Sequence, residues 1–134
     1  MDVRTLLQDR NGTIWAGTRS GLAKFTGRAF TPVAEKGAPH EGVSVMVEDR
    51  AGTLWFGTPG QGLVRYRDGT FKTLTREQGL VSNWIMALYE DASGDLWIGT
   101  NGEGMNRLRN GRLSAIRPGD GLWDGISQVI LEDK

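Results

Sequence analysis

The sequence predicts an all-β fold in which one four-stranded unit is repeated, and three observations carry that prediction. The first is a ten-residue pattern that occurs three times. It reads Asp9-Arg10-Asn11-Gly12-Thr13-Ile14-Trp15-Ala16-Gly17-Thr18, then Asp49-Arg50-Ala51-Gly52-Thr53-Leu54-Trp55-Phe56-Gly57-Thr58, then Asp91-Ala92-Ser93-Gly94-Asp95-Leu96-Trp97-Ile98-Gly99-Thr100. The repeated Asp residues stand 40 and 42 residues apart, and Leu131-Glu132-Asp133-Lys134 opens a fourth copy 42 residues further on. Self-similarity at such a period marks a solenoid, propeller or array. The second observation is 20 glycines in 134 residues, about double the average share of about 7%. The third is that apolar residues come in short runs or in alternation, the patterns of strands.

Each repeat divides into four segments. The first is the apolar run before the Asp, at 3–7, 43–47, 85–89 and 129–131. It is too short for a helix and reads as a strand buried on both faces. Asp-x-x-Gly then reads as a tight turn, with Asp accepting backbone N–H groups and Gly free to take positive φ. Asp9, Asp49 and Asp91, with Gly12, Gly52 and Gly94, are therefore read as structural. The second segment, Leu-Trp-x-Gly-Thr and its variants, alternates as a strand should, with Trp and Gly on one face. The third covers 21–25, 62–66 and 104–108. Thr26-Gly27, Asp68-Gly69 and Asn110-Gly111 follow it, and the last two are favoured hairpin dipeptides. The fourth covers 30–33, 71–74 and 113–116, and the large residues across this turn (Phe25 and Phe30, Tyr66 and Phe71, Leu108 and Leu113) are always five apart.

Four short antiparallel strands in about 42 residues correspond to one blade of a β-propeller. The expected architecture is three four-stranded antiparallel blades plus the first strand of a fourth, forming a partial or open propeller. Residues 1–134 are read as one propeller segment, with repeats at about 3–42, 43–84, 85–126 and 127–134. Helical repeats would need a 3.6-residue period and fewer glycines.

The pattern is best seen in Val43 to Tyr66 and Ile85 to Leu108, with Gln78-Gly79-Leu80 and Asp120-Gly121-Leu122 in the connecting loops. It resembles the two-component regulator propeller repeat, and the resemblance covers almost the whole chain. The departures are Gly37-Ala38 in place of Gly-Leu, and Met105 and Leu108 in place of Leu and Tyr. The resemblance implies the extracytoplasmic (periplasmic) sensor region of a bacterial hybrid histidine kinase or diguanylate cyclase, which senses an oligosaccharide or another nutrient. It also implies downstream β, membrane and signalling domains that this sequence does not contain.

Bulk composition agrees with a recognition module. Sixteen basic residues balance sixteen acidic ones, so no net field favours nucleic acid or an anionic membrane. With no cysteine there is neither a disulfide nor a thiolate metal site. No apolar run approaches the about 20 residues of a membrane span, so no membrane contact by this segment is expected. Met1-Asp2-Val3-Arg4 does not open a signal peptide. No cofactor is expected, and no spacing of His, Asp and Glu matches a metal-ligand set.

Trp15, Trp55 and Trp97 share one strand register, which points to blade-to-blade packing rather than ligand stacking. The Gly-Thr pairs lack a following helix and are not phosphate loops. Residues that break the repeat are more informative. Trp84 and Trp123 lie outside the repeated Trp position, in the connection leading to the innermost strand. Together with Asn83, Asp124, Asn101, Glu103, Gln61, Arg19, His40 and Glu41 they are expected around one mouth of the channel. Aromatic platforms with amide, carboxylate and guanidinium partners suit a small polar ligand such as a sugar, or equally a protein partner. A propeller lyase or hydrolase, using His40 and Glu41 as an acid–base pair with Glu103 or Asp124, is the remaining alternative.

Closed propellers use about 4–8 blades. The expected partners are therefore the remaining blades of the same ring, or further copies of this chain joined head to tail. By itself the chain is not expected to be a well-behaved monomer.

Overall fold

The computed structural model describes residues 3–117. Twelve strands form three separate four-stranded antiparallel sheets, each in simple sequence order. Blade one contains β1 (Val3–Gln8), β2 (Ile14–Thr18), β3 (Gly21–Phe25) and β4 (Phe30–Pro32). Blade two contains β5 (Val45–Glu48), β6 (Leu54–Gly57), β7 (Leu63–Arg67) and β8 (Thr70–Leu74). Blade three contains β9 (Ile85–Glu90), β10 (Leu96–Thr100), β11 (Met105–Arg109) and β12 (Arg112–Ile116). The fold is all-β and propeller-like, and the described arc is open. The expected first strand of a fourth blade lies outside the described residues.

The turns explain the strand pairing. In each Asp-x-x-Gly element the Gly is at φ 88–89°, and its N–H donates to the Asp carbonyl at 2.9–3.0 Å. Asp49 Oδ1 accepts the N–H groups of Ala51 and Thr53, and Oδ2 accepts the Trp55 indole N–H at 2.9 Å. Asp9 and Asp91 make the same three contacts, to Trp15 and Trp97 respectively. One carboxylate thus closes the turn and aims the tryptophan. At the far hairpin, Asp68 and Asn110 adopt φ 53° and 51° before a glycine, the left-handed pair that a two-residue turn requires.

Blades pack through the repeated positions. Trp15, Val43, Met46, Leu54, Phe56, Val64 and Phe71 form the core between blades one and two. Trp15 meets Phe56 at 5.8 Å and Tyr66 edge-on at 5.4 Å. Between blades two and three, Trp55, Leu63, Ile85, Leu96 and Ile98 take over, with Leu108 and Leu113 where the first junction has Tyr66 and Phe71. Each such Trp removes about 150–250 Å² from water. Trp97, on which no further blade packs among the described residues, is only half-buried.

The structure corrects one expectation. Burial on both faces belongs to the second strands of blades one and two, as in β6, where all four residues are buried, whereas in β10 of blade three only Leu96 and Ile98, on one face, are buried. The innermost strands β1 and β9 are partly exposed. The exposure follows blade position: β5 packs between β1 and β9 and has no exposed residue, whereas β1 and β9 each have a described blade on one side only. Leu6, three before the Asp, is 61% exposed, while Met46 at the same position is 9% exposed between blades one and two.

The Gly of Leu-Trp-x-Gly-Thr serves close approach. A Cβ on Gly57 would lie 2.5 Å from Val45 Cγ1 and 2.7 Å from Ile85 Cγ2 of the next blade. The following Thr donates its hydroxyl across the loop, Thr58 to the Gly62 carbonyl and Thr18 to that of Gly21. A polar clasp adds to the apolar contact. Arg10 reaches the Asp49 and Arg50 carbonyls while its own N–H meets Glu48, and Arg50 repeats this toward Asp91, Ala92 and Glu90.

Gly57→Ala should destabilise the chain by about 1–3 kcal/mol, and Gly99→Ala, whose nearest contact is Ala87 Cβ at 3.2 Å, by less; paired denaturant melts measure the difference. Burial raises the Asp91 carboxyl, but the Trp97 indole, the Asp95 and Ser93 N–H groups and Arg107 outweigh it, so its pKa lies below the ordinary carboxylate value. Its stabilising contribution is therefore complete above the unfolded-state value and is lost as pH falls through the lower folded one. Asp91→Asn should flatten that acid limb, measurable by unfolding at stepped pH.

Candidate functional site

The loops after the second and fourth strands of each blade lie at one end of the sheets, away from the Asp-x-x-Gly turns. There, Pro59 forms a bridge with Trp84, joining the loop after β6 to the connection entering β9. The Asn83 carbonyl accepts the N–H groups of Gly60 and Gly62 at 3.2 and 2.9 Å, and its Oδ1 accepts from Arg76 N–H at 2.8 Å. Both oxygens of Asn83 are thus used in holding the loops.

His40, Glu41 and Gln61 do come together. Gln61 Oε1 accepts the backbone N–H groups of His40 and Glu41 at 3.1 and 3.3 Å. Its Nε2 lies 3.0 Å from His40 Nδ1, so Gln61 donates to a ring nitrogen that accepts. The imidazole is therefore held by an amide rather than by a carboxylate. Asn101 Oδ1 accepts from the Ser82 hydroxyl at 3.1 Å, and Ser82 Oγ accepts the Trp84 N–H. Glu103 stands 3.9 Å from Arg76 in an exposed pair. Trp123 and Asp124 lie outside the described residues.

An open cavity of about 330 Å³ spans blades one and two at this end. Its wall includes Arg4, Arg19, Glu41, Ser44, Pro59 and Trp84. Trp84 is 45% exposed, unlike the buried Trp15 and Trp55. Of the sequence-predicted residues, Arg19, Glu41 and Trp84 meet in this cavity. His40 and Gln61 buttress the Glu41 loop, while Asn83, Asn101 and Glu103 are tied into neighbouring loops.

Sequence reading missed Arg4 and Ser44. Both stand five residues before the repeated Asp, where blade three has Met86, and that Arg/Ser/Met variation was the available signal. The Ser44 hydroxyl also meets the Ile85 carbonyl of the next blade at 2.9 Å. A 3-10 turn at Arg76–Gln78, capped by Thr75, was not foreseen either. It delivers Gly79-Leu80 into the core, where Leu80 is buried, as Ala38 is in the preceding repeat.

Three antiparallel four-stranded blades with variable loops at one end define a β-propeller segment. The model of the two component regulator propeller family matches residues 1–20, 37–60 and 79–102, and the chain belongs to that family. Two solved structures of the extracellular domain of BT4673 from B. thetaiotaomicron are similar. One, described as a one component system, has 27% identity and a TM-score of 0.63, over 80% of this chain and 16% of that one. The other, described as a hybrid two component system, has 19% identity and a TM-score of 0.70, over 90% of this chain and 19% of that one. This chain thus spans less than a fifth of either. Virginiamycin B lyase from Staphylococcus aureus shares the fold at 16% identity and a TM-score of 0.60, over 92% of this chain and 46% of that one. No similarity to a curated protein reaches significance.

Gln61 is the hinge pin of the His40–Glu41 loop. Gln61→Ala should accelerate hydrogen exchange at the His40 and Glu41 amides while leaving strand amides such as Phe56 unchanged. Equal protection in both proteins would show that the loop is held otherwise.

Proposed function

We propose that this chain is a non-enzymatic part of the extracytoplasmic sensor region of a bacterial hybrid histidine kinase or diguanylate cyclase. Its role is to recognise a small polar ligand, such as an oligosaccharide, through the loops of one channel mouth. The supporting observation is the exposed Trp84 indole on the wall of a cavity that also holds Arg4, Arg19 and Glu41. A flat apolar ring stacks on the C–H face of a sugar, and the surrounding charged groups meet its hydroxyls. The cavity is formed by loops from different blades, so a ligand there has different contacts in different blade arrangements and shifts the population among them. Family membership and the extracellular-domain neighbour at 27% identity support the sensor setting.

A protein-contact face is the second reading, and it draws on Met86. That residue is 54% exposed two positions after Trp84, which is itself 45% exposed, so two exposed apolar side chains stand close in sequence at this end. The lyase alternative has the shared fold behind it, but His40 is bonded to Gln61 and not to an acid.

Titration of a neutral and acidic oligosaccharide panel, followed by tryptophan fluorescence, tests the proposal. A saturable change that weakens about tenfold or more in Trp84→Ala is expected, a loss of about 1.4 kcal/mol. Sugar affinity unchanged by Trp84→Ala would sink it. Sugar-independent capture of a protein, abolished by Trp84→Ala and Met86→Ala, would favour the contact face.

A further inference from the structure

We propose a second binding site, for a small organic carboxylate, in the crevice between blades two and three at the Asp-x-x-Gly end of the strands. The crevice has a volume of about 510 Å³, within the about 300–1,000 Å³ of small-molecule sites. Arg65, Arg67 and Lys72 of blade two line it, opposite Leu96 and Leu108 of blade three.

The repeat supplies its own template for what belongs there. In blade three, Asp95 sits four residues after the turn Asp and its side chain is only 8% exposed. Its two oxygens accept from Arg109 Nε at 3.2 and 3.0 Å, Arg109 Nη2 lies 2.9 Å away, and Arg107 Nε stands at 3.7 Å. In blade two the corresponding residues are Thr53, Arg67 and Arg65, because Trp55 pairs with Arg65 as Trp97 pairs with Arg107. The two cations are retained, and the carboxylate is replaced by a hydroxyl. Arg67 Nη1 donates to Thr53 Oγ1 at 2.8 Å, and its Nε is 3.9 Å from the exposed Asp68.

Blade two also adds a cation. Lys72 lies directly across from Arg65, where blade three has Ser114 and blade one sets Thr31 opposite Lys24. Like charges directly opposite on a sheet repel. Among the described residues, neither the Arg65 nor the Lys72 side chain makes an ion pair or hydrogen bond. Asp49 is the one acidic residue lining the crevice, and its oxygens are taken by Ala51 N–H, Thr53 N–H and the Trp55 indole. Three cations therefore face one carboxylate that is already engaged.

An anion entering here takes the role that Asp95 plays in blade three. A carboxylate suits the planar guanidinium of Arg65, with Lys72 as a point charge beside it. The apolar side chains of Leu74, Leu96 and Leu108 give the remainder of the ligand a dry wall. A carboxylate on an aromatic or alicyclic body fits this combination, whereas a bare inorganic ion leaves that wall unused. The site shares no lining residue with the channel mouth and does not rest on the reading given to that mouth.

Saturation-transfer NMR with benzoate as the probe, against neutral benzamide, tests the site without requiring a particular oligomeric state. Saturable binding of benzoate and none of benzamide is expected. Arg65→Gln and Lys72→Gln should each weaken it about tenfold, the loss of one charge-assisted contact. Thr53→Asp, which supplies the carboxylate that blade three already carries, should abolish binding. Trp84→Ala should leave benzoate binding intact, which separates this site from the mouth. Circular dichroism confirms folding of each variant, and exposed Lys72→Gln provides the answer should Arg65→Gln unfold. Absence of benzoate binding, equal binding of benzamide, or full binding in folded Thr53→Asp or Lys72→Gln would overturn the proposal.

Discussion

The whole arrangement hangs on one carboxylate per blade. Each turn Asp gives one oxygen to two backbone N–H groups and the other to the indole N–H of the Trp six residues later. A buried donor without a partner costs about 1–3 kcal/mol, so the indole is seated in one orientation rather than merely in an apolar place. That orientation decides how far the next blade can approach. The same geometry recurs at Asp9 with Trp15 and Asp91 with Trp97. Local turn chemistry therefore sets the spacing between blades, which is a long-range property.

Close approach then demands small residues at fixed points. Gly17 and Gly57 both lie under a β-branched residue of the following blade, Val43 and Ile85 respectively. The polar clasp sits at the other end of the strands, where Arg10 meets Glu48 and Arg50 meets Glu90 at 3.4 and 3.5 Å. These pairs have one exposed member, and exposed pairs contribute at most about 1 kcal/mol. Their greater effect is directional, because each Arg also binds two carbonyls of one particular next blade. At the corresponding position blade three has Ala92, so that side of its turn carries no such clasp.

Much of the fold was legible because the constraint repeats. Asp, Gly, Trp, Gly and Thr recur at fixed offsets, and the structure gives each a role that any blade needs. The burial of the innermost strands was misjudged, since an apolar run signals apolar neighbours without saying how many sides they occupy. The clasp was missed although its letters were visible: Arg10 and Arg50 follow the turn Asp, and Glu48 and Glu90 precede it in the next copy. Asn106 was unreadable in principle. It is fully buried where the other blades have Ala23 and Val64, and it binds the Val81 N–H and the Gly79 and Ser114 carbonyls. Only the folded chain shows that this amide replaces an apolar contact with two hydrogen bonds to a loop and one to β12.

The mouth was half legible for a related reason. Departure from the repeat identifies residues released from the packing constraint, but it does not say what they contact. Trp84 departs and faces solvent at the cavity, whereas Asn83 departs and is used in tying two loops together. Internal comparison goes further than departure alone, because a second blade shows what the first lacks. Thr53 looks unremarkable beside Thr13, and only Asp95 reveals the charge its position can carry. The Arg residues facing Thr53 and Asp95 are common to blades two and three, so the carboxylate is the variable part. A repeat protein thus holds its own reference state. Where cations persist and their counter-charge does not, the surrounding blade still defines where a negative group would sit.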